Sequence, residues 1–126
     1  MVWKDINKES KVLIDKLKLL SFKISAAESC TGGLLSSAIV NNSGVSDVFE
    51  RSFITYSNEA KVNILKINDN IIEEFGAVSK QTAYHMALSL VSNFSADVGI
   101  GITGIAGPNG GSKNKPVGLV WIGFGT

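Results

Sequence analysis

FKISAAESCTGGLLSSAIVN, residues 22–41, holds the reading that decides the fold. Residues 22–28 read as a short strand. Ser29 marks the junction, and CTGG, residues 30–33, opens a helix, LLSSAIVN, with both glycines in its first turn; it stops at Asn41, Asn42 and Gly44. A strand feeding a helix through a glycine turn is half of a βαβ unit. On the N-terminal side, residues 5–20 place Ile6, Leu13, Leu17 and Leu20 on one helical face, with Lys11, Lys16 and Lys18 turned away. On the C-terminal side, SFITY at 52–56 predicts a strand, and NEAKVNIL predicts a short helix capped by Ser57 or Asn58. A helix is predicted at 69–75, ended by Gly76. Another runs from a Ser79 cap to about Phe94, with Ala83, Met86, Ala87, Leu90, Val91 and Phe94 inward. Residues 97–103, DVGIGIT, and 117–124, VGLVWIGF, predict strands, the first apolar enough to be covered on both faces. Strands alternating with helices give an α/β class: a three-layer α/β/α domain around a mainly parallel or mixed sheet, one domain over residues 1–126.

Composition bounds the function. The apolar fraction of 44% and charged fraction of 18% are those of a globular chain. A net charge of +1 offers no basic field for a phosphate backbone, so nucleic acid is not an expected partner. The charged N-terminus lacks the apolar centre of a signal peptide, and no apolar run is long enough to span a bilayer, so no membrane partner is expected. Cys30 is the only cysteine, which excludes an internal disulfide and suggests a reducing, cytoplasmic setting. With one cysteine and one histidine, His85, a zinc site built from those residues is not expected. His85 falls opposite the apolar face of its helix, away from any catalytic role.

Three segments break local preference, and such breaks tend to mark functional sites. Gly32 and Gly33 sit where a helix begins, at a cost of about 1 kcal/mol each against alanine inside a helix. There, free N–H groups favour an anion or a developing oxyanion, and Ser29 occupies the junction as a candidate nucleophile. The alternative is that Thr31 caps the helix and the glycines only allow close strand–helix packing. Lys61 falls in the first turn of a short helix, where the dipole opposes a cation and supplies part of a lowered pKa, burial in a closed pocket having to supply most of the rest; the alternative is a lysine whose head reaches water. Tyr56, just before it, is either a core aromatic or a polar site group. The loop 104–116, GIAGPNGGSKNKP, holds four glycines and both prolines. It follows an apolar strand, where open α/β sheets bind ligands, and Lys113 and Lys115 are candidates to face a phosphate. It is not a P-loop, because no Gly-Lys-Ser/Thr follows its glycines.

AESCTGGLLSSAIVNNSGVSDVFERSFITYSNEAK, then GAVS, then GITGIAGPNGGSKNKPVGLVWI closely resemble the CinA C-terminal domain family, whose domain also occurs alone as nicotinamide-nucleotide amidase. The resemblance covers nearly the whole chain from about residue 10. It implies hydrolysis of nicotinamide mononucleotide to nicotinate mononucleotide and ammonia, with Ser29 as nucleophile, Lys61 as general base and Tyr56 orienting the pair. Thr31, Gly32 and Gly33 would then stabilise the oxyanion, while Thr103, Gly104, Gly107, Gly110 and Gly111 would hold the nucleotide. No cofactor and no metal is implied, and the small domain is expected to form a homo-oligomer. The family also has a further strand and a helix after the strand at 117–124, with an arginine near the active site. This sequence ends at Thr126, so the expectation is that the arginine is not supplied by these residues and that an apolar sheet face is left bare. The alternatives to an amidase are a nucleotide-binding domain of weak turnover and a protein-interaction module of the same fold.

Overall fold

The structure, a computed structural model, describes residues 2–126. Its elements run α1 (Val2–Leu20), β1 (Ile24–Glu28), α2 (Leu34–Val40), a 3-10 turn (Val45–Asp47), β2 (Phe49–Ile54), α3 (Asn58–Asn63), α4 (Asp69–Phe75), α5 (Lys80–Phe94), β3 (Val98–Gly104) and β4 (Val120–Gly125). The four strands form one sheet in the order β2-β1-β3-β4. The first three are parallel, and β4 runs antiparallel to β3.

Strand alternation assigns the two faces of the sheet. Ile24 of β1 packs with Ile14 and Leu17 of α1, Ile39 of α2, and Val48 and Val98. On the other face Ala27 packs with Met86 and Leu90 of α5, and with Leu65, Ile67 and Ala96. Helices α1 and α2 therefore cover one side and α5 covers the other, as the three-layer expectation requires. Four glycines explain how closely α5 approaches. A Cβ built on Gly101 would lie 2.7 Å from Met86 Cβ and closer still to the Ala83 carbonyl, and Gly99 and Gly123 meet helix backbone in the same way. Gly125 is tight as well, 3.2 Å from the Ala87 carbonyl. The Gly-x-Gly pairs on β3 and β4 thus form a smooth strip on which the helix backbone lies.

Several boundaries differ from expectation. The second strand is Phe49–Ile54, about three residues earlier than 52–56, because its ladder begins where Phe49 pairs with Ile24. Tyr56 consequently lies beyond the strand. Gly32 and Gly33 are not inside a helix: they form the turn before it, with φ of +59° and +106°. Glycine adopts such positive φ at the least cost, above all the +106° of Gly33. Thr31 does not cap α2 either, since its hydroxyl donates to Glu28 Oε1 at 2.7 Å. Ile122 and Phe124 of β4 pair with Ile102 and Ile100 and share their face, yet are 68% and 60% exposed.

Candidate active site

Strands β1 and β2 end level, at Glu28 and Ile54, beside Ile102 of β3, which runs two residues further to Gly104. Beyond this edge lie the Ser29–Gly33 turn, the Thr55–Ser57 segment and Thr103–Gly104. The C-terminal edge of parallel strands is where open α/β sheets carry their ligands. Ser29 is buried and its N–H donates to the Ile102 carbonyl at 3.0 Å, so β3 fixes the start of the turn. Gly104 presses against the same turn: a Cβ there would lie 2.9 Å from Cys30 Sγ.

Helix α3 begins at a Ser57 cap, whose hydroxyl accepts from the Ala60 N–H at 3.0 Å. Its fourth residue, Lys61, is only 1% exposed. The Nζ lies 3.1 Å from Ser29 Oγ, 2.9 Å from the Thr55 carbonyl and 3.0 Å from the Tyr56 carbonyl. Ser29 Oγ is itself 3.3 Å from the Tyr56 carbonyl. Among the described residues the ion pairs are Lys11–Asp15 and Arg51–Glu50, and no carboxylate reaches Lys61. An ammonium taken out of water without a counter-ion is costly, by several kcal/mol after relaxation. Burial accordingly holds the Lys61 pKa below the usual lysine range, opposed only by attraction to a Cys30 thiolate. Of the two causes expected, the helix dipole and burial in a closed pocket, burial is the operative one, and Lys61 stands in the last turn of a six-residue helix rather than the first.

The partners decide the proton arrangement. The two carbonyl oxygens only accept. Nζ donates to both carbonyls and to Ser29 Oγ, whose own hydroxyl donates to the Tyr56 carbonyl; with one proton removed, two N–H groups would remain for the carbonyls and the lone pair would face Ser29 Oγ. The N–H of Gly32 is committed to the Ser29 carbonyl at 3.1 Å, whereas those of Thr31 and Gly33 donate to no oxygen among the described residues.

Other expected residues fall differently. Tyr56 contributes its backbone carbonyl; its side chain is 69% exposed and its phenol makes no hydrogen bond among the described residues. Thr103 is buried, and its hydroxyl donates to the Ala77 carbonyl at 2.8 Å, which ties the β3 end to the Gly76–Ser79 turn. Gly107 and Gly111 pack against Val117, and Gly110 faces open space. Lys115 Nζ donates to the Phe75 carbonyl at 2.8 Å, strapping the loop to the end of α4, while Lys113 is exposed. Burial pushes the Cys30 thiol up, which disfavours it as a nucleophile beside Ser29. His85 is half-buried on α5 with its ring edge-on to Tyr84 at 5.4 Å. Sequence reasoning gave no role to Glu28, which is wholly buried at the end of β1. An acid at an inward position of a buried strand was the available signal.

Residues 6–126 match the family model of the CinA C-terminal domain. The chain is 50% identical over 113 residues to a CinA-like protein of Kosmotoga olearia, covering 90% of this chain and 27% of that protein. It is 48% identical over 108 residues to the nicotinamide-nucleotide amidohydrolase PncC of Enterobacter agglomerans, covering 86% of this chain and 66% of that protein. The crystal structure of competence/damage inducible protein CihA from Agrobacterium tumefaciens matches with a TM-score of 0.87 at 44% identity, covering 92% of this chain and 70% of that one.

Proposed function

We propose that this chain, which belongs to the CinA C-terminal domain family, is an amidohydrolase that converts nicotinamide mononucleotide to nicotinate mononucleotide and ammonia. The observation that carries the reading is the buried Lys61 amine, without a carboxylate partner, 3.1 Å from Ser29 Oγ. The kinship with an amidohydrolase named for nicotinamide nucleotide supports the choice of substrate.

In this mechanism neutral Lys61 accepts the Ser29 proton as Oγ attacks the carboxamide carbon. The carbonyl oxygen becomes an anion, received by the N–H groups of Thr31 and Gly33. Each such donor typically contributes about 10²–10³-fold in rate. The left-handed turn at Gly32 aims them. Lys61 then passes its proton to the departing nitrogen, ammonia leaves, and a serine ester remains. Water attacks the ester with Lys61 again as base, and the acid is released. The Tyr56 carbonyl holds Lys61 in place throughout, and its exposed ring is free to meet the substrate. The ribose phosphate would be received by the loop that follows Gly104, whose Lys113 is exposed, while Thr103, buried with its hydroxyl on the Ala77 carbonyl, holds the start of that loop in place. The proposal takes the protein to act in the cytoplasm, as one copy of a homo-oligomer.

The test is ammonia release from nicotinamide mononucleotide by the 126-residue chain, with Ser29→Ala and Lys61→Ala alongside. Turnover by the parent that is lost in both variants supports the reading. A folded parent that releases no ammonia overturns it in favour of a binding or interaction domain, a reading for which the exposed Ile122 and Phe124 would be the surface.

A further inference from the structure

Glu28 is one of two charged side chains that the fold buries completely or nearly so, the other being Lys61. Burying a carboxylate is tolerated only when its lone pairs are met by donors. Here they are. Oε1 accepts from the Thr31 hydroxyl at 2.7 Å and the Leu35 N–H at 2.9 Å; Oε2 accepts from the Ser36 N–H at 2.9 Å and the Ser36 hydroxyl at 2.5 Å. Because Ser36 spends its proton on Glu28, the Ser52 hydroxyl of β2 donates to it in turn, at 2.5 Å. The Glu28 main chain is engaged as well: its carbonyl accepts the Thr55 N–H at 2.9 Å, in the segment whose own carbonyl holds Lys61.

These bonds close a ring. The N-cap residue of α2, Gly33, has no side chain to offer, so the N–H groups of Leu35 and Ser36 are met from Glu28, at the far end of the turn. Everything between is Ser29-Cys30-Thr31-Gly32-Gly33. One end of this segment is the Glu28 backbone, the other is gripped by the Glu28 carboxylate, and its middle is gripped through the Thr31 hydroxyl. With two flexible glycines inside, the segment's shape depends on that closure. The closure also decides which N–H groups stay free: Leu35 and Ser36 are consumed, Thr31 and Gly33 are not.

We infer that Glu28 is a positioning residue for the proposed reaction, holding the Ser29 hydroxyl and the Thr31 and Gly33 N–H groups in register by clamping both ends of the nucleophile turn. The inference rests on the Ser29–Lys61 reading. It is separable from that reading because Glu28 faces α2 and touches neither Ser29 Oγ nor Lys61. Loss of the clamp therefore degrades geometry and leaves the base's titration intact.

The experiment uses Glu28→Gln, with Thr31→Val and Ser36→Ala as companions that remove one arm each and leave the carboxylate in place. Glutamine has the same shape but turns an amide N–H₂ toward a backbone N–H. Two readouts are taken on each variant: steady-state ammonia release from nicotinamide mononucleotide across pH, and the rate at which a fluorophosphonate labels Ser29. The second needs the nucleophile and its oxyanion donors but no nucleotide. Misplacement of about 1 Å costs about 10²-fold in rate. Glu28→Gln is therefore expected to lose roughly 10²-fold in kcat and in labelling rate, with KM within about threefold and the midpoint of the pH profile unmoved. The companions are expected to lose about tenfold by the same argument. Labelling of the parent without ammonia release overturns the substrate reading alone, and the labelling rates then decide the role of Glu28. A parent that is neither labelled nor active overturns both. Parent-like rates in Thr31→Val and Ser36→Ala, or a shifted pH midpoint in any folded variant, overturn the positioning role even if Glu28→Gln fails to fold.

Discussion

Replacing Lys61 by methionine tests the centre of the mechanism, because methionine fills a similar buried volume without a proton-accepting nitrogen. A lysine at its ordinary pKa of about 10.4 is neutral in only about one molecule in a thousand at pH 7.4, and each unit of lowering raises that fraction tenfold. Lys61 has oxygen neighbours at 2.9, 3.0 and 3.1 Å, none of them a carboxylate, and its burial drives it toward the neutral form. In the parent, kcat/KM for ammonia release should climb tenfold per pH unit and level off at an apparent pKa below about 10.4. In Lys61→Met, Ser29 keeps only the Tyr56 carbonyl as a proton partner, and a carbonyl is no base. The expected loss in kcat is about 10²–10⁴-fold, and the climb with pH should vanish. Because nucleophile and base act as a unit, the Ser29→Ala, Lys61→Met double variant should be no slower than Ser29→Ala alone, to within about threefold. A Lys61→Met protein that keeps its activity within about tenfold, or that still shows the same pH climb, would refute the argument that Lys61 is the base.

The same variant carries a stability prediction whose sign follows from burial. A buried lysine with a lowered pKa binds fewer protons folded than unfolded, so parent stability rises with pH between the folded and unfolded values. Urea titrations should show the parent gaining on Lys61→Met as pH rises toward about 10.4, by about 1.4 kcal/mol per unit of lowering. Glu28 has the opposite window: burial raises its pKa, but the Ser36 and Thr31 hydroxyls and the Ser36 and Leu35 N–H groups outweigh that and hold it below the ordinary carboxylate value. Its contribution is present above about pH 4.3 and lost as pH falls through the lower folded value, so thermal melts of the parent should drop in acid more steeply than those of Glu28→Gln. Gly101→Ala would force a methyl to within 2.7 Å of Met86 Cβ. It should cost about 1–3 kcal/mol, read as a lower urea midpoint at unchanged slope. Tyr56→Phe removes a phenol that has no hydrogen-bond partner, so the melting temperature should stay within the effect of about 0.5 kcal/mol; a larger fall would show that the phenol is structural.

Helices with a clear apolar stripe and a polar cap were legible from sequence. Ser79 does cap α5 and Gly76 does end α4, because caps and stops are local events. The β2 boundary was less legible. SFITY contains the residues that strands prefer, but Thr55 and Tyr56 are drawn off the ladder's end, where their carbonyls hold Lys61. The burial of Lys61 is not written locally at all: NEAKVN is a polar helix, and only the reach of its lysine to Ser29 and to the Thr55 and Tyr56 carbonyls beyond the ends of β1 and β2 takes it out of water. Ser29 was visible from its place at a strand–turn–helix junction. Glu28 was overlooked because its importance lies in bonds made seven and eight residues downstream. The paired glycines of β3 and β4 acquire their meaning only when α5 is laid across both strands.

Glu28 and Lys61 stand on either side of Ser29 and are treated in opposite ways, and the difference follows from strand alternation. Glu28 shares the face of Ile24 and Ala26, so its carboxylate enters the layer of α2, where four donors await it. Lys61 arrives from α3 and meets only neutral oxygens. Were the two to pair, each would hold the other charged, and the amine would have no lone pair for Ser29. Four hydrogen bonds from neutral donors keep the carboxylate ionised without a cation, which leaves the lysine without an anion. In the proposed mechanism the strand end therefore separates a charge that shapes the Ser29–Gly33 turn from an amine whose neutral form would activate Ser29. Moving the acid by one residue along β1 would turn it toward the opposite face, the side from which Ala27 meets the α5 layer. A double substitution, Ala27→Glu with Glu28→Gln, should then raise the Lys61 pKa and shift the rise of kcat/KM to higher pH, whereas Glu28→Gln alone should not. An unshifted profile in the folded double variant would mean that the sidedness of the two charges is incidental to the base's neutrality.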